Sequence, residues 1–478
     1  MALYLNLAQR LIDDIQAQRL PEGSRLPALR TLAKQQAVSM TTATKAYDYL
    51  QESGWIYSRP QSGYFVSNRA QIVEFPTLSN QTLERRDPRR NAPQLGYNRP
   101  SEGFAPLGIA VLSPELLPAV PLQRTLKRVT QRNAQSLLQY SDFSGTTSVR
   151  NAIAQHFRDQ HFPVHAYDLI VTHCCMSAVR LAVETLTQPG DTLAVSSPCF
   201  NGLLDLLSTL SRNIIEIPLT HQGLDLDALE TCMKEGRIRA ALLSTNHINP
   251  LGITLPNEQK QALAELANQY QIPIIEDDIY QDLGFQKHNP MPAKYWDKHG
   301  WILWCSSISK TLSPGMRLGW CLPGRFYQQC AEFHGRTNLG TSTLIQACVA
   351  EFFATGDYRQ HLQTLRPKLQ QQLGQYQQFL QQQLPSEARC SQPGGGLVLW
   401  LHVPGLDTDA LQREALKDGI DIRSGRCFTT HNSYQDCLRI NAGWALFDAD
   451  QQPTQTHQQL TQLCELIRHK VAPKTDTG

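Results

Sequence analysis

The segment from Ser306 to Trp320 places a single lysine, Lys310, among serine and threonine side chains, with a lone arginine, Arg317, further along. The apolar run 301–304 just before it predicts a buried strand, so Lys310 is expected where a sheet ends and phosphate-bearing ligands bind. Burial near other cations lowers the pKa of a lysine and leaves an amine that attacks aldehydes. The segment therefore predicts a lysine that forms a Schiff base beside a phosphate site. A solvated loop with Arg317 in an ion pair is the alternative.

A second segment, Ile274 to Tyr280, predicts a short buried strand that ends in carboxylates, with a phenol close behind. A buried carboxylate such as Asp277 keeps the nitrogen of a pyridine ring protonated, and a protonated ring is the electron sink of pyridoxal phosphate chemistry. The phenol of Tyr280 and the amide of Asn249, in a turn after the predicted strand 240–243, can hydrogen-bond to the phenolic oxygen of such a ring. Taken singly, an Asn-Pro turn and a helix-capping carboxylate explain these residues equally well.

Three motifs in this part of the chain follow one another in a recognisable order. They are Asn-Pro-x-Gly at 249–252, Asp-x-x-Tyr at 277–280 and Ser-x-x-Lys at 307–310. In order and rough spacing they resemble the motifs of fold-type I aminotransferases, and the resemblance extends from about Pro106 to the C-terminus. It implies an α/β fold with a large α/β/α domain and a small α+β C-terminal domain, and pyridoxal 5'-phosphate as the cofactor.

The resemblance also implies a role for individual side chains. Lys310 would hold the cofactor as an internal aldimine and is the one catalytic residue implied. Arg439 falls where aminotransferases bind the substrate carboxylate, a task that suits a bidentate guanidinium, although a structural salt bridge would explain it too. The remaining implied contacts are Asp277 with the pyridine nitrogen, Asn249 and Tyr280 with the phenolic oxygen, Ser307, Ser309 and Arg317 with the phosphate, and Phe200, unless it is a core residue, with the face of the ring.

A further phosphate contact is implied at 171–178, a turn that opens a helix. The backbone amides of Cys175 and Met176 would point at the phosphate, because a helix N-terminus attracts anions. Relatives usually have glycine where this chain has Cys174, so a tight approach of the backbone is expected to be less favourable. His173 and the two cysteines suggest a metal, but no second cluster with ligand spacing accompanies them, and we predict no metal site.

The N-terminal region follows a different pattern. Apolar residues spaced by three and four predict a helix over 5–18, a second helix from about Leu26, and a third that opens at Ser39 and runs to about Glu52. Two short apolar runs on either side of Gly63 predict a two-stranded hairpin. The residues of the third helix that we expect to face inward are Ala43, Tyr47 and Leu50.

These elements form a winged helix-turn-helix, mostly α with a β-wing, and they resemble the DNA-binding domain of the GntR family. The resemblance rests on Leu-Pro, Leu-Ala, Val-Ser and Ala-Tyr pairs at their usual places and on a glycine-tipped wing. Many relatives have arginine where this chain has Met40, so a phosphate or guanine contact worth about 1–3 kcal/mol is not expected there. The residues that the resemblance nominates for DNA contact are Arg30, Ser39, Thr41, Thr42, Lys45, Ser62 and Gly63.

We divide the chain into a DNA-binding domain at 1–67, a linker at 68–104, a large cofactor-binding domain at 105–355 and a small domain at 356–478. The linker is rich in Asn, Gln, Arg and Pro and lacks a sustained apolar period. Its arginine run at 85–90 is expected to be a solvated charge run, with contact to DNA or to a neighbouring subunit as the alternative.

Apolar spacing also predicts two elements of the small domain. One is an amphipathic helix over 368–384, with glutamines on its wet face, and the other is a strand over 397–401.

Length and composition agree with this division. A chain of 478 residues with 41% hydrophobic content can form two or three domains with buried cores. We expect a cytoplasmic protein without membrane contact, because no apolar stretch approaches membrane-spanning length and the N-terminus opens in an amphipathic helix rather than a signal peptide. The 12 cysteines are accordingly expected to be reduced, and the net charge of +2 predicts no broad basic surface.

A winged helix joined through a linker to an aminotransferase-like domain is similar to the MocR subfamily of GntR transcriptional regulators. The combination is more specific than either half. The similarity implies three partners: double-stranded promoter DNA, a second copy of the chain in a homodimer, and an effector that is a B6 vitamer, an amine or an amino acid. An effector would shift DNA affinity by no more than the difference between its affinities for two domain arrangements. In the homodimer Tyr140 would reach the phosphate site of the other subunit, unless it is an ordinary packed tyrosine.

The main alternative is a pyridoxal-phosphate-dependent aminotransferase with an accessory DNA-binding domain, since Lys310, Asp277 and Arg439 are all present. Residual transamination is also compatible with a regulator, because residue identity alone does not guarantee a productive geometry. A third interpretation, a DNA-binding protein whose large domain has lost the cofactor, conflicts with the intact Lys310. The sequence favours the regulator and leaves open the effector, the operator and the choice between activation and repression.

Overall fold

The chain forms two compact units, Met1–Glu74 and Phe75–Gly478. The structure, a computed structural model, describes residues 3–16, 19–21, 23–52, 55–59, 63–66, 74–78, 83–88, 106–132, 134–286 and 288–471. In these ranges, no helix is both long enough and apolar enough to cross a membrane. Each unit is described by itself below.

The N-terminal unit consists of three helices and an antiparallel hairpin. Its elements are α1 (Leu3–Gln16), α2 (Leu29–Gln35), α3 (Met40–Glu52), β1 (Ile56–Arg59) and β2 (Gly63–Val66). The prediction of a winged helix-turn-helix is therefore confirmed.

The helix α3 buries the face that its apolar spacing predicts. Ala43, Tyr47 and Leu50 are fully buried, and the Tyr47 hydroxyl donates a hydrogen bond to the carbonyl of Pro27 at 2.8 Å. The helix α2 begins at Leu29, later than expected, because the residue before it keeps an extended conformation with ψ 147°. The core of this unit therefore holds α3 with its opposite face turned to solvent.

The second unit is built on an eight-stranded mixed sheet. In the order β3-β10-β9-β8-β7-β4-β5-β6, the central strands β9, β8, β7, β4 and β5 are parallel, whereas β10 is antiparallel to both its neighbours and β6 is antiparallel to β5. The strands are β3 (Ile170–Thr172), β4 (Thr192–Ser197), β5 (Asn213–Thr220), β6 (Gly223–Leu224), β7 (Ala240–Leu243), β8 (Ile274–Asp277), β9 (Ile302–Ser307) and β10 (Gly319–Leu322).

Helices cover both faces of this sheet, as the predicted α/β/α class requires. Side chains alternate along each strand: Ile302 and Trp304 of β9 pack with α5, α8, α9 and α11, while Leu303 and Cys305 pack with α6, α7 and α10 on the other face. The helices are α4 (Ala119–Arg132), α5 (Thr147–Arg158), α6 (Cys175–Leu186), α7 (Asn201–Thr209), α8 (Leu226–Lys234), α9 (Asn257–Tyr270), α10 (Tyr327–Thr337) and α11 (Thr343–Ala354).

The C-terminal part has its own core around a four-stranded antiparallel sheet in the order β11-β12-β14-β13. The predicted strand at 397–401 is β12, and the expected α+β character is present. The elements are α12 (Asp357–Gln383), β11 (Arg389–Cys390), β12 (Val398–His402), α13 (Thr408–Lys417), β13 (Arg423–Ser424), β14 (Cys437–Asn441) and α14 (Gln455–Val471).

The helix α12 is longer than the predicted helix over 368–384. Its apolar spacing continues upstream through Leu362 and Leu365, so the helix runs through Pro367 instead of beginning after it. Upstream residues such as Leu362 pack in the core of the large sheet, and downstream residues such as Tyr376 pack in the core of the small one. Because this helix joins the two cores, the boundary between 105–355 and 356–478 stays a prediction.

The predicted linker at 68–104 needs a correction, because residues 75–78 and 83–88 belong to the second unit. The backbone of Arg86 pairs with Ile214 of β5 through two hydrogen bonds of 2.9 Å each, and Arg85 donates to the carbonyl of Gly190 at 2.8 Å. The physical reason is an open strand edge: β6 pairs only with the far end of β5, so the backbone at Ile214 is free to take a partner. The described part of the arginine run is therefore docked; residues 89 and 90 lie outside the described residues.

Glu216 of β5 is a buried carboxylate that joins the sheet to the C-terminal part. It accepts hydrogen bonds from the hydroxyls of Ser197 at 2.5 Å and Thr429 at 2.7 Å, and from both the amide and the hydroxyl of Thr430 at 2.6 and 2.7 Å. Thr430 also accepts a hydrogen bond from the side chain of Arg86 at 3.4 Å. Four donors on one carboxylate compensate the cost of burying its charge.

We predict that Glu216→Gln destabilises the second unit by about 1–3 kcal/mol, because a glutamine oxygen accepts fewer hydrogen bonds and its amide would face donors. The free energy of unfolding, measured by denaturant titration, would report the loss. Glu115→Gln, at an exposed position, is the matched control and should unfold at the wild-type midpoint. Equal midpoints for both variants would contradict this account of Glu216.

Candidate functional site

Lys310 lies just beyond β9, at the end of the sheet that the sequence predicts. Its Nζ donates a hydrogen bond to the carbonyl of Ala110 at 2.5 Å. Burial, with a smaller contribution from the charge of Arg439, lowers the pKa of Lys310 to about 8, and Asp277 opposes this shift. Near pH 8 a large fraction of Lys310 is therefore an uncharged amine, which is the nucleophilic form.

Three successive carboxylates end β8, and the structure gives them different partners. Glu276 accepts hydrogen bonds from Thr245 and from backbone amides, and Asp278 accepts one from Trp304 at 2.8 Å. Asp277 is the one that shares an environment with Lys310.

Asp277 is buried and keeps its own set of donors. Cys175 donates its thiol hydrogen to Oδ1 at 3.1 Å, and the amide of Ile279 also donates to the carboxylate. Burial raises the pKa of Asp277 above its ordinary value, although these two hydrogen bonds and the charge of Lys310 oppose the rise. A cationic ring nitrogen beside this carboxylate would favour the ionised form further.

Asn249 and Tyr280 lie together, as their predicted common target requires. Their side chains are hydrogen-bonded, and burial raises the pKa of Tyr280 to about 12. Asn249 follows β7 in a turn, and its Oδ1 accepts a hydrogen bond from Arg439 at 3.2 Å. The carboxyl ends of β7, β8 and β9 therefore place an amide, a phenol, a carboxylate and an amine around one point.

Arg439 comes from β14 of the smaller sheet and is almost fully buried. It donates to the carbonyl of Gly108 and to Asn249, and its Cζ lies 5.3 Å from the centre of the Phe428 ring. Its Nε has no hydrogen-bond partner within the part of the chain that the structure describes. Burial lowers its pKa to about 10. Among the described residues no carboxylate forms an ion pair with Arg439, so the structural salt bridge is not observed and the guanidinium is held by neutral groups.

The predicted phosphate ligands lie in the turn after β9. The amide of Ser309 donates to the hydroxyl of Ser307 at 3.2 Å, while the Ser309 hydroxyl is buried and has no hydrogen-bond partner among the described residues. Arg317 is exposed and adopts a left-handed conformation with φ 42°, and its charge contributes to the lowered pKa of Lys310. A buried hydroxyl without a partner and an exposed guanidinium near Lys310 fit the phosphate of the implied cofactor.

The N-terminus of α6 begins at Cys175, followed by Met176, as predicted. Cys174 has a φ of −175°, an extended conformation that any residue adopts, and the effect of its side chain on the approach of the backbone to a phosphate stays a prediction. The position that requires glycine is in β10: a Cβ atom on Gly319 would lie 2.5 Å from the carbonyl carbon of Cys174 and 2.8 Å from the nitrogen of Cys175. Gly319 therefore allows β10 to pack closely against the start of α6.

Phe200 and Tyr140 lie in different surroundings. Phe200 follows β4, is partly buried, and packs against the core between the sheet, α6 and α7. Tyr140 is 86% exposed. Their assigned contacts, with the ring face and with the other subunit, stay predictions.

The candidate DNA-contacting residues of the N-terminal unit are mostly exposed. Thr41 and Lys45 lie in the exposed first turns of α3. Ser39 instead caps this helix: its hydroxyl accepts from the amide of Thr42 at 3.1 Å and is hydrogen-bonded to the Thr42 hydroxyl at 2.8 Å. The other candidates are Arg30, which is exposed, Gly63, which begins β2 with φ 99°, and Ser62, which lies outside the described residues.

Some residues of both sites were missed by sequence reasoning. The guanidinium of Arg25 lies about 3.5 Å from the Cβ position of Gly63, next to the wing, and the only signal was a second arginine near the Leu-Pro pair. In the large unit the carbonyls of Gly108 and Ala110 bind Arg439 and Lys310. A backbone carbonyl has no sequence signal.

The side chains of Cys174 and Cys175, which suggested a metal together with His173, have other partners. Cys174 Sγ contacts the hydroxyl of Ser177 at 3.3 Å, and Cys175 is bonded to Asp277. Within the described ranges, one group could hold a metal: His402, Asp436 and Cys437, where the His402 ring and the Asp436 carboxylate are hydrogen-bonded at 2.9 Å.

Comparison with known families covers both units. Residues 114–451 match the family model described as aminotransferase class I and II, and residues 3–66 match that of bacterial regulatory proteins, gntR family. The chain is 32% identical to the uncharacterized HTH-type transcriptional regulator YdcR of Escherichia coli (strain K12) over 475 residues, which is 98% of this chain and 100% of that protein. It is 31% identical to YjiR of the same strain, over 93% of this chain and 96% of that protein.

Solved structures agree with the fold. The Pyrococcus horikoshii kynurenine aminotransferase superposes with a TM-score of 0.71 at 22% identity, over 78% of this chain and 93% of that one. The α-aminoadipate aminotransferase LysN of Thermus thermophilus, solved with a phosphopyridoxyl-leucine compound, gives 0.70 at 22% identity, over 78% of this chain and 94% of that one. The chain has a gntR-type winged helix at its N-terminal end and an aminotransferase fold over most of the rest, and it matches YdcR and YjiR over nearly their full length. It is therefore a member of the MocR subfamily of GntR regulators.

Proposed function

We propose that this chain is a transcriptional regulator that binds promoter DNA through its N-terminal unit and binds pyridoxal 5'-phosphate covalently through Lys310. We further propose that a B6 vitamer, an amine or an amino acid at this site changes its affinity for DNA, and that it acts in the cytoplasm, where a DNA-binding regulator meets its promoter. The observation that carries the proposal is the buried amine of Lys310, with its pKa lowered to about 8, among Asp277, Asn249 and Tyr280. An amine in this state, with a carboxylate nearby, suits capture of an aldehyde.

The residues around Lys310 divide the binding of the cofactor among them. When bound, pyridoxal phosphate supplies an aldehyde and an electron sink. Asp277 holds a proton on the ring nitrogen through its charge, and Asn249 with Tyr280 orients the phenolic oxygen. The hydroxyl of Ser309 and the guanidinium of Arg317 bind the phosphate beside the N-terminus of α6.

Arg439 supports an effector that has a carboxylate. Its guanidinium is held by the carbonyl of Gly108 and by Asn249, which are neutral acceptors, and its Nε makes no hydrogen bond to any described residue. A carboxylate would replace neutral partners with a charge-assisted pair. One effector would then carry an amine that reaches the cofactor at Lys310 and a carboxylate that reaches Arg439. An amino acid has both groups.

A homodimer is supported by large apolar side chains at the surface. Leu138, Tyr140 and Leu339 are 88%, 86% and 75% exposed. They lie on two segments joined by a hydrogen bond of 3.2 Å from Ser141 to the carbonyl of Thr341. An exposed group of this kind is typical of an interface with another chain.

An aminotransferase with an accessory DNA-binding domain is the second candidate. The complete set of Lys310, Asp277 and Arg439 favours it, since a lysine amine with a pKa of about 8 can also move protons near neutral pH. A regulator needs only binding that differs between two states, whereas transamination needs the full reaction geometry.

Footprinting of the promoter of its own gene, with and without pyridoxal phosphate and a panel of amino acids, tests the proposal together with a turnover assay on amino and keto acids. We expect protection of a short repeated site that changes with ligand. Efficient turnover without specific protection would leave the enzyme as the better description.

Lys310→Ala should abolish the visible absorbance that pyridoxal phosphate gives with the wild-type protein. In the wild type, the rate of cofactor capture should rise as pH increases through about 8 and then level off, because the lowered pKa means that the uncharged amine appears in that range. Stopped-flow absorbance measures the rate. Lys298→Ala, an exposed lysine, is the control and should behave as wild type; a flat pH profile would refute the assigned state of Lys310.

Gly319→Ala should weaken pyridoxal phosphate binding by about tenfold or more, because the new methyl group displaces the backbone at the start of α6. The dissociation constant is measured by absorbance titration and the fold by far-ultraviolet circular dichroism. Gly335→Ala is matched, since a Cβ there makes ordinary contacts with Phe143. If the two variants bind alike, Gly319 does not shape the phosphate site.

Lys45→Ala should weaken DNA binding uniformly across sequences and reduce the salt dependence by about one counterion, if Lys45 contacts a phosphate. Ser39→Ala should instead destabilise the N-terminal unit by about 1 kcal/mol through loss of the cap. Fluorescence anisotropy at several salt concentrations and thermal unfolding separate the two effects. An unchanged salt slope for Lys45→Ala would remove it from the interface.

A further inference from the structure

The thiol of Cys175 has a contact that none of the assigned roles uses. Cys175 is the first residue of α6 and is 2% exposed, and its Sγ lies 3.1 Å from Oδ1 of Asp277 at the end of β8. A carboxylate that is ionised has no hydrogen to give, so the thiol is the donor. The contact joins the helix at the phosphate side of the site to the carboxylate at the other side.

The thiol is suited to remain a donor. Burial, followed by the charge of Asp277, raises the pKa of Cys175 well above its ordinary value, so the proton stays on sulfur. A thiol is a weak donor to neutral acceptors, but its hydrogen bond to a charged carboxylate in a dry site is stronger. The same hydrogen bond lowers the pKa of Asp277 and so opposes the effect of burial.

Two hydrogen-bond donors fix the orientation of the Asp277 carboxylate. The thiol of Cys175 occupies Oδ1, and the backbone amide of Ile279 supplies the second hydrogen bond. Without the thiol, Asp277 would keep one fixed donor, and its carboxylate could rotate about the terminal bond, which has a broad range of allowed torsion angles.

We propose that Cys175 is a positioning residue for the pyridine end of the cofactor, because its thiol fixes Asp277 in the orientation and the ionised state that a ring nitrogen needs. This inference rests on the proposed binding of pyridoxal phosphate at Lys310. Cys175 then acts at both ends of one ligand: its backbone amide belongs to the helix N-terminus at the phosphate, and its side chain supports the carboxylate at the ring.

The neighbouring cysteine shows that the contact is specific to one position. Cys174 precedes Cys175 directly, yet its Sγ contacts the hydroxyl of Ser177 at 3.3 Å rather than a carboxylate. Cys305, on β9 beneath the site, contacts the thiol of Cys321 at 3.8 Å. Among the described cysteines near Lys310, the hydrogen bond to Asp277 is made by Cys175.

The test compares Cys175→Ala, which removes the donor, with Cys175→Ser, which keeps one. Each apo protein is titrated with pyridoxal phosphate, and the dissociation constant and the pH titration of the visible band are measured. We expect Cys175→Ala to weaken binding by about tenfold, as loss of a hydrogen bond to a charged group does, and to move the midpoint of the band's titration. Cys175→Ser should restore most of the affinity and the wild-type midpoint.

The control for a lost buried thiol is Cys348→Ala, at a fully buried position of α11 that has none of the assigned cofactor contacts. It should bind like the wild type, and the unfolding midpoints of all variants show whether each one folds. Wild-type affinity and titration in Cys175→Ala would overturn the role of Cys175 alone. Failure of the wild type to bind would contradict the proposed function as well.

A second measurement does not need the cofactor. The S–H stretching band in the infrared spectrum moves to lower frequency when a thiol donates to a carboxylate. We expect a shifted band in the apo wild type that is lost in Cys175→Ala and returns towards the free position in Asp277→Asn. A band at the free position in the wild type would show that the hydrogen bond is absent and would overturn the inference even if the cofactor binds.

Discussion

The burial of three ionisable side chains at one end of a sheet is the constraint on which this structure depends. Lys310 follows β9, Asp277 ends β8 and Arg439 lies in β14. Their burial lowers the pKa of the two cations and raises that of the carboxylate. Each must be compensated by a neighbour, because an unpaired buried charge is costly. Carbonyl groups of the segment that begins near Pro106, an amide and a thiol provide that compensation. The site is therefore polar, dry and prepared for a ligand that carries charges of both signs.

A shared fold does not determine the function of the charged side chains of Lys310, Asp277 and Arg439. The aminotransferases that superpose on the second unit share about a fifth of its residues, which is enough for the architecture and too little for the chemistry. What distinguishes this chain is the winged helix at its N-terminus, since a ligand site becomes regulatory only when another activity responds to it. The energetic requirement is modest, because a coupling of about 1–3 kcal/mol changes DNA affinity severalfold to a hundredfold.

Sequence reasoning was most successful where side-chain periodicity or a strand end determines position. The inward residues of α3 follow from a spacing of three and four, and Asp277 and Lys310 follow from apolar runs that stop at polar residues. It was less successful where the backbone is the partner. The docking of Arg86 on Ile214 depends on an open strand edge, and the close packing of β10 against the start of α6 depends on Gly319, which is far from Cys175 in the sequence. Neither depends on the local pattern of side chains.

The docking of residues 83–88 divides the connection between the two units into parts with different physical effects. Because Phe75 already belongs to the second unit, only the residues between Val66 and Phe75 count towards the covalent spacer between the units, and their number sets the maximum length of that spacer. Pro88 and Pro106 both belong to the second unit, so residues inserted between them would not lengthen the spacer. Homologues with linkers of equal total length can therefore differ in reach, and the number of residues before the docked segment is the better measure for comparing them.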